Sequence, residues 1–136
     1  MPRTTILLAD DNAPVLRHVG KMLEKEKNYK ILAAISDGAS VVPESLRLRP
    51  DVIILDISMG EISGIDIART LRDSGCGARI VFLTVHEDAD YMNAAIGAGG
   101  SAYVVKPRLS ADLLSAIRAV LSNKLFVSAS SMNKLG

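Results

Sequence analysis

The sequence contains few of the features that mark secreted or membrane-bound proteins. Its single cysteine, Cys76, cannot form an internal disulfide and lies in the loop-like stretch DSGCGAR, so we interpret it as structural. The longest uncharged run, residues 91–105, is shorter than a bilayer span and contains three glycines. Charged and polar residues interrupt the N-terminus, so no signal peptide is expected. These absences predict a soluble cytoplasmic protein with no membrane contact.

Neither sign of charge dominates the chain. The formal net charge is +1, and the basic residues form no block. This balance argues against direct binding of nucleic acid or of an anionic membrane by this chain. With 136 residues, of which 49% are hydrophobic and 23% charged, the sequence is typical of one globular domain that builds its own core.

Five short apolar runs alternate with segments of helical periodicity. The runs are rich in Ile, Val and Leu and show no alternation of polar and apolar residues, which is typical of strands buried on both faces. Only a short helix is expected between the second and third runs, because Gly38 and Pro43 interrupt that segment. The order predicts a parallel sheet with right-handed crossovers and helices on both faces. The predicted strands are residues 4–9, 30–35, 51–56, 79–84 and 102–105.

Polar side chains stand at four of the predicted strand ends. Each has an ordinary explanation on its own, such as helix capping by aspartate or the strand propensity of threonine. In open α/β sheets, however, ligands bind beyond the carboxyl ends of the strands, so the coincidence favours a shared site. The residues are Asp10 and Asp11 after the first strand, Asp56 on the third, Thr84 on the fourth, and Lys106 before Pro107 on the fifth.

The types of residue in this set indicate phosphoryl transfer. Three clustered carboxylates cannot all stay ionised without a cation, and Mg²⁺ suits oxygen ligands of this kind. A lysine and a hydroxyl beside Mg²⁺ would stabilise the negative charge that spreads over the phosphoryl oxygens in the transition state of the transfer. Asp56 is the best candidate for a carboxylate nucleophile, because it lies between the acidic pair and Lys106 on the central strand.

This set of residues resembles the receiver domain of two-component response regulators. The resemblance covers residues 4 to about 122. It implies a flavodoxin-like (βα)₅ fold: a doubly wound, five-stranded parallel sheet of order 2-1-3-4-5 with helices on both faces. It also implies that a sensor histidine kinase or a phosphotransfer protein phosphorylates Asp56, with Mg²⁺ or Mn²⁺ as cofactor. Such a chain is a signalling phosphoacceptor rather than an enzyme, with only self-phosphotransfer and autodephosphorylation expected.

The resemblance assigns roles to the residues that surround the acceptor. Asp11, Asp56 and the backbone carbonyl of Ser58 would ligate the metal, and Asp10 would bind it through water. Lys106 would be the counter-ion of the phosphate.

A switch pair is implied as well. Thr84 would move toward the phosphate, and Tyr103 would turn from an outward or mixed position into the vacated space. The Lys106–Pro107 bond is expected to be cis, so that the ammonium points at the site. The residues at the edge of the site are Met59, Val85, His86 and Pro107. Met59 is followed by glycine where the family often has proline, which should loosen that loop, and Val85 should restrict the access of phosphodonor or water. Ser58 and His86 should tune the lifetime of the phosphoryl group.

The stretches GAGGSAYVVKP and NKLFVSAS resemble most the NarL/FixJ (LuxR-type) subfamily, which carries a C-terminal helix-turn-helix domain. We assign residues 1–123 to the receiver and 124–136 to a tail leading toward an output domain that is absent from this sequence. Transcription control through DNA would therefore need that domain, and homodimerisation on phosphorylation is a further expected output. A stand-alone receiver and one part of a longer regulator both fit the sequence.

Two other classes of protein remain open. One is a pseudo-receiver that keeps the fold without being phosphorylated, although such modules typically lose an acid or the lysine. The other is a haloacid-dehalogenase-type phosphohydrolase. Those enzymes need a second aspartate two residues after the nucleophile, where this chain has Ser58.

Overall fold

Residues 3–128 are described by the computed structural model and alternate between strands and helices. The strands are β1 (Thr4–Ala9), β2 (Tyr29–Ile35), β3 (Val52–Asp56), β4 (Ser58–Met59), β5 (Ile62–Ser63), β6 (Arg79–Thr84), β7 (Gly100–Val105) and β8 (Phe126–Val127). The helices are α1 (Ala13–Glu24), α2 (Gly38–Leu48), α3 (Gly64–Asp73), α4 (Ala89–Gly97) and α5 (Leu109–Leu121), with a 3₁₀ turn at Lys106–Arg108 before α5.

The main sheet has the strand order β2-β1-β3-β6-β7-β8, and its neighbouring strands are all parallel. The first five of these are the predicted strands in the order 2-1-3-4-5, so the predicted fold class is confirmed. Because the order reverses between β1 and β3, the carboxyl ends of these two strands flank a crevice. The short β4 and β5 form a separate antiparallel hairpin after β3.

The sheet separates two apolar clusters, which explains why its strands read as continuous hydrophobic runs. On β3, Ile53 and Leu55 join the cluster beneath α2, α3 and α4, whereas Val52 and Ile54 join the cluster beneath α1 and α5. Every residue of β3 is buried, Asp56 included. A carboxylate at the end of this strand is therefore placed at the boundary of the core.

One local prediction about a helix needs correction. Helix α2 is eleven residues long rather than short, although Pro43 lies inside it. The proline removes one backbone hydrogen bond, but the buried face that carries Val41 still packs into the core.

The segment after α5 adds a sixth strand that the sequence did not reveal. Beyond the pairing of β8 with β7, the Ser128 N–H donates to the Tyr103 carbonyl oxygen at 2.9 Å, and Ser128 Oγ accepts from the Val105 N–H at 3.1 Å. The same hydroxyl donates to the buried Asp112 carboxylate at 2.8 Å, which also receives two hydrogen bonds from Arg108. Residues 126–127 of the predicted tail thus form a strand of the sheet, Ser128 is hydrogen-bonded to β7 directly after it, and residues 129–136 lie outside the described residues.

Within residues 3–128, no helix has the length and the apolar character needed to cross a membrane.

Candidate functional site

The carboxyl ends of β1, β3 and β7 bring two buried carboxylates and an ammonium group into contact. Lys106 Nζ lies 2.9 Å from Asp10 Oδ2 and 3.4 Å from Asp56 Oδ2. Asp10 and Asp56 are only 1% and 3% exposed. One ammonium thus faces two carboxylates, and this pocket carries excess negative charge that a cation can neutralise.

The electrostatics of this cluster follow from burial. Desolvation and the negative charge of Asp10 raise the pKa of Asp56 to about 7, and the Lys106 ammonium and the Ser58 N–H oppose that rise only in part. For Lys106, burial lowers the pKa, but the two carboxylates outweigh it and hold the pKa above its ordinary value. The lysine is therefore charged at neutral pH, whereas the pKa of Asp56 is raised well above that of an exposed aspartate.

A third carboxylate completes the acidic set. One oxygen from each of Asp10, Asp11 and Asp56 lies within 4.8 Å of the others. Asp10 Oδ1 accepts from the Asn12 N–H at 2.8 Å, while its buried Oδ2 has the Lys106 ion pair but no well-directed hydrogen bond from any residue in 3–128. A buried oxygen with a free lone pair beside two further carboxylates fits a hard divalent cation such as Mg²⁺ or Mn²⁺.

The loop after β3 fixes the orientation of Asp56. Ser58 is exposed, and its N–H donates to Asp56 Oδ1 at 3.1 Å. Helix α3 begins against the same strand end, since a Cβ on Gly64 would lie 2.1 Å from the Asp56 carbonyl oxygen. Gly64 could not be recognised from the sequence, because the close approach that requires glycine there is visible only in three dimensions.

Thr84 and Tyr103 are linked through one residue of the loop after β6. Thr84 Oγ1 accepts from the His86 N–H at 3.0 Å, and the Tyr103 hydroxyl donates to the His86 carbonyl oxygen at 2.7 Å. The predicted position of Tyr103 is outward or mixed; in this structure its side chain is inward and 0% exposed. Its ring packs in the core and its hydroxyl has a partner, so the inward position leaves no polar group unsatisfied. Burial raises the pKa of Tyr103 to about 12.

The Lys106–Pro107 bond is trans, so the prediction of a cis bond is wrong; no peptide bond within residues 3–128 is cis. Trans is the ordinary state of such bonds. Here the chain passes from β7 into the 3₁₀ turn, where proline fits the first positions, and the Lys106 side chain reaches both carboxylates from there.

The four predicted edge residues differ in their exposure. Met59 is buried, Pro107 is exposed, and Val85 is 66% exposed next to Thr84. The half-buried His86 ring stacks on Tyr91 with a centroid separation of 4.0 Å and an interplanar angle of 5°.

Comparison with known proteins gives a consistent assignment. The model of the response regulator receiver domain family matches residues 6–118. The nitrate/nitrite response regulator protein homolog of Haemophilus influenzae is 33% identical over 130 residues, which is 96% of this chain and 62% of that protein. The nitrate/nitrite response regulator protein NarP of Escherichia coli is 37% identical over 122 residues, which is 88% of this chain and 57% of that protein.

A solved structure shows the same likeness. The two-component response regulator of the LuxR family from Aurantimonas sp. superposes with a TM-score of 0.92 at 26% identity, covering 98% of this chain and 95% of that one. The chain spans about three fifths of the length of the two curated relatives it matches.

Proposed function

This chain belongs to the response regulator receiver family of two-component signalling, and on that premise we propose that Asp56 accepts a phosphoryl group from the phosphohistidine of a sensor histidine kinase or a phosphotransfer protein. An Asp56 carboxylate oxygen attacks phosphorus, an O–P bond forms and the P–N bond breaks. The electron pair stays on the imidazole nitrogen, which takes up a proton. The observation that carries the proposal is the buried Asp56 carboxylate beside both Asp10 and the Lys106 ammonium.

The surrounding residues support this step in distinct ways. Lys106, 3.4 Å from Asp56 Oδ2, is suited to pair with the oxygens of the transferred group. Asp10, Asp11, Asp56 and the Ser58 carbonyl would hold Mg²⁺ or Mn²⁺, which when bound neutralises the charge of those oxygens. Because burial raises the pKa of Asp56 to about 7, positive charge nearby favours the ionised, nucleophilic carboxylate.

We further propose that the signal leaves the site through the loop that carries His86. Thr84 uses its oxygen as an acceptor for the His86 N–H, so its hydroxyl hydrogen can be given to a phosphoryl oxygen. Any movement of Thr84 would displace His86, whose carbonyl oxygen accepts a hydrogen bond from the Tyr103 hydroxyl. With Tyr103 already inside, the proposed switch changes the position of this loop rather than moving the ring inward from solvent.

The output is also a proposal, since the chain spans about three fifths of the curated relatives. The receiver, assigned to residues 1–123, would act through residues 124–136 on a C-terminal helix-turn-helix domain that binds DNA and controls transcription in the cytoplasm. Homodimerisation on phosphorylation would be one route to that control. The relatives are response regulators, which are signalling proteins, and self-phosphotransfer and autodephosphorylation are the chemistry proposed here.

Phosphoryl transfer can be tested directly with acetyl phosphate and Mg²⁺, followed by intact-mass measurement. We expect one added phosphoryl group that is labile to hydroxylamine and is absent from the Asp56→Asn variant. Asp66→Asn, which removes an exposed carboxylate on α3, is the matched control and should be labelled like the wild type. Labelling of Asp56→Asn equal to that of the wild type would refute the acceptor assignment. A folded wild type that is never labelled by acetyl phosphate or by a phosphohistidine donor would favour a pseudo-receiver.

A further inference from the structure

A buried carboxylate outside the phosphoryl-transfer site, that of Asp112, joins separate parts of the chain. Asp112 Oδ2 accepts a hydrogen bond from Ser128 Oγ at 2.8 Å, and Arg108 donates to both carboxylate oxygens, at 2.9 and 3.1 Å. The buried Ser128 hydroxyl also accepts from the Val105 N–H at 3.1 Å. This cluster therefore connects β7, the 3₁₀ turn and α5 with residues 126–128.

The turn that carries Lys106 is held on both sides by this cluster. Directly before Lys106, the Val105 N–H is bound by the Ser128 hydroxyl. At the end of the turn, the Arg108 side chain is bound by the Asp112 carboxylate, which the same hydroxyl contacts. Ser128 thus helps to fix the backbone from which the Lys106 side chain extends.

The position of the Lys106 ammonium depends on that backbone. Its Nζ lies 2.9 Å from Asp10 Oδ2 and 3.4 Å from Asp56 Oδ2. A lysine side chain has four flexible carbons and a single charged end, so holding it in one geometry has an entropic cost. A turn that is already fixed on both sides lowers this cost, because only the side chain remains to be ordered.

Residues 126–128 also contact β7 beside the proposed switch. Strand β8 pairs with Ala102 and Tyr103, and the Ser128 N–H donates to the Tyr103 carbonyl oxygen at 2.9 Å. Docking of this segment therefore bears on the strand that contains Tyr103 and ends directly before Lys106.

We propose that Ser128 is a positioning residue for phosphoryl transfer: when residues 126–128 are docked on β7, they fix the turn that carries Lys106 and so make Asp56 a better phosphoryl acceptor. The inference rests on the proposed function, in which the lysine pairs with the oxygens of the transferred group. The ion pairs of Lys106 persist without the docked segment, so its release slows the transfer and does not abolish it. A partner that draws residues 126–128 away from β7 would therefore lower the acceptor activity of this chain.

The rate of labelling by acetyl phosphate with saturating Mg²⁺ tests this role at a temperature where every variant is folded. We expect Ser128→Ala to be labelled about three- to fivefold more slowly than the wild type, as expected when the contribution of about one hydrogen bond to the order of the turn is lost. Val41→Ala is the matched control, because it removes buried methyl groups from α2, which packs near β1 and β2 at the other end of the sheet. It should be labelled at the rate of the wild type.

A double-mutant cycle shows whether Ser128 acts through the lysine. In a Lys106→Ala background, Ser128→Ala should cause no further loss of labelling rate, because the group that it positions is gone. A purely structural contribution of Ser128 would slow labelling by the same factor in both backgrounds.

Amide hydrogen exchange of the wild type gives a readout that does not depend on any variant folding. Coupling between two binding events is reciprocal, so a phosphoryl mimic bound at Asp56 must strengthen the docking of residues 126–128 if that docking favours the bound group. We expect beryllofluoride with Mg²⁺ to slow the exchange of the Ser128 N–H by about threefold or more. The Arg49 N–H, which donates to the Ser45 carbonyl oxygen at the end of α2, is the control and should exchange at an unchanged rate.

Three results would overturn this inference and leave the proposed function intact. They are labelling of Ser128→Ala at the rate of the wild type, equal slowing by Ser128→Ala with and without Lys106, and an unchanged Ser128 exchange rate when beryllofluoride is bound. A wild type that is not labelled and does not bind beryllofluoride would instead overturn the proposed function.

Discussion

Replacing the buried Asp56 carboxylate by a neutral amide is expected to stabilise the fold at neutral and alkaline pH when divalent cations are absent. The pKa of Asp56 is raised from its ordinary 3.8 to about 7, chiefly by burial and by the Asp10 charge. The folded chain therefore holds a proton that the unfolded chain has lost, and the free energy of unfolding falls as pH rises from about 4 to about 7. Asp56→Asn has no such loss, and its amide oxygen can still accept from the Ser58 N–H.

The size of this stabilisation follows from the rise in the pKa of Asp56. About three pKa units at about 1.4 kcal/mol each set an upper bound of roughly 4 kcal/mol, and relaxation around an ionised site reduces it. We expect the free energy of unfolding of Asp56→Asn to exceed that of the wild type by about 2–4 kcal/mol at pH 8, and by much less near pH 4.

Urea unfolding in the presence of EDTA, at steps of pH between these limits, measures this difference. Asp73→Asn, at an exposed position at the end of α3, should differ from the wild type by less than about 0.5 kcal/mol at every pH. Equal stability of the wild type and Asp56→Asn at pH 8, or a difference between them that is independent of pH, would refute this prediction. A flat difference would mean that burial does not penalise the ionised carboxylate.

Two further substitutions test contacts that position the site. Gly64→Ala should destabilise the fold by about 2 kcal/mol or more, because its Cβ would lie 2.1 Å from the Asp56 carbonyl oxygen, whereas Gly77→Ala, with open space around it, should be near neutral by thermal unfolding. Ser128→Ala should cost about 1–3 kcal/mol in urea, since the buried Asp112 carboxylate and the Val105 N–H each lose a partner. If Ser128→Ala is as stable as the wild type, the hydrogen bonds of this hydroxyl do not contribute to the stability of the fold.

Local patterns in the sequence determined the five core strands and the fold class. The apolar runs on strands such as β3 are continuous because helices cover both faces of the sheet. Each run shows this burial in its own sequence, so each strand can be predicted independently of the others. The strand-end residues Asp10, Asp56 and Lys106 could be expected to meet because parallel strands direct their carboxyl ends to one edge. The parallel topology, which the sequence predicts, is therefore sufficient to predict that these three residues lie close together.

The remaining features depend on contacts between distant parts of the chain, which no local pattern encodes. The inward Tyr103 is decided by a carbonyl seventeen positions away, on His86. The Asp11 carboxylate accepts a hydrogen bond from the Gly60 amide, which lies 49 positions along the chain. The raised pKa of Asp56 reflects how completely the fold excludes water from a pair of carboxylates. Residue types and their spacing could indicate which groups meet, whereas their orientation, their hydrogen-bond partners and their desolvation were decided only by tertiary packing.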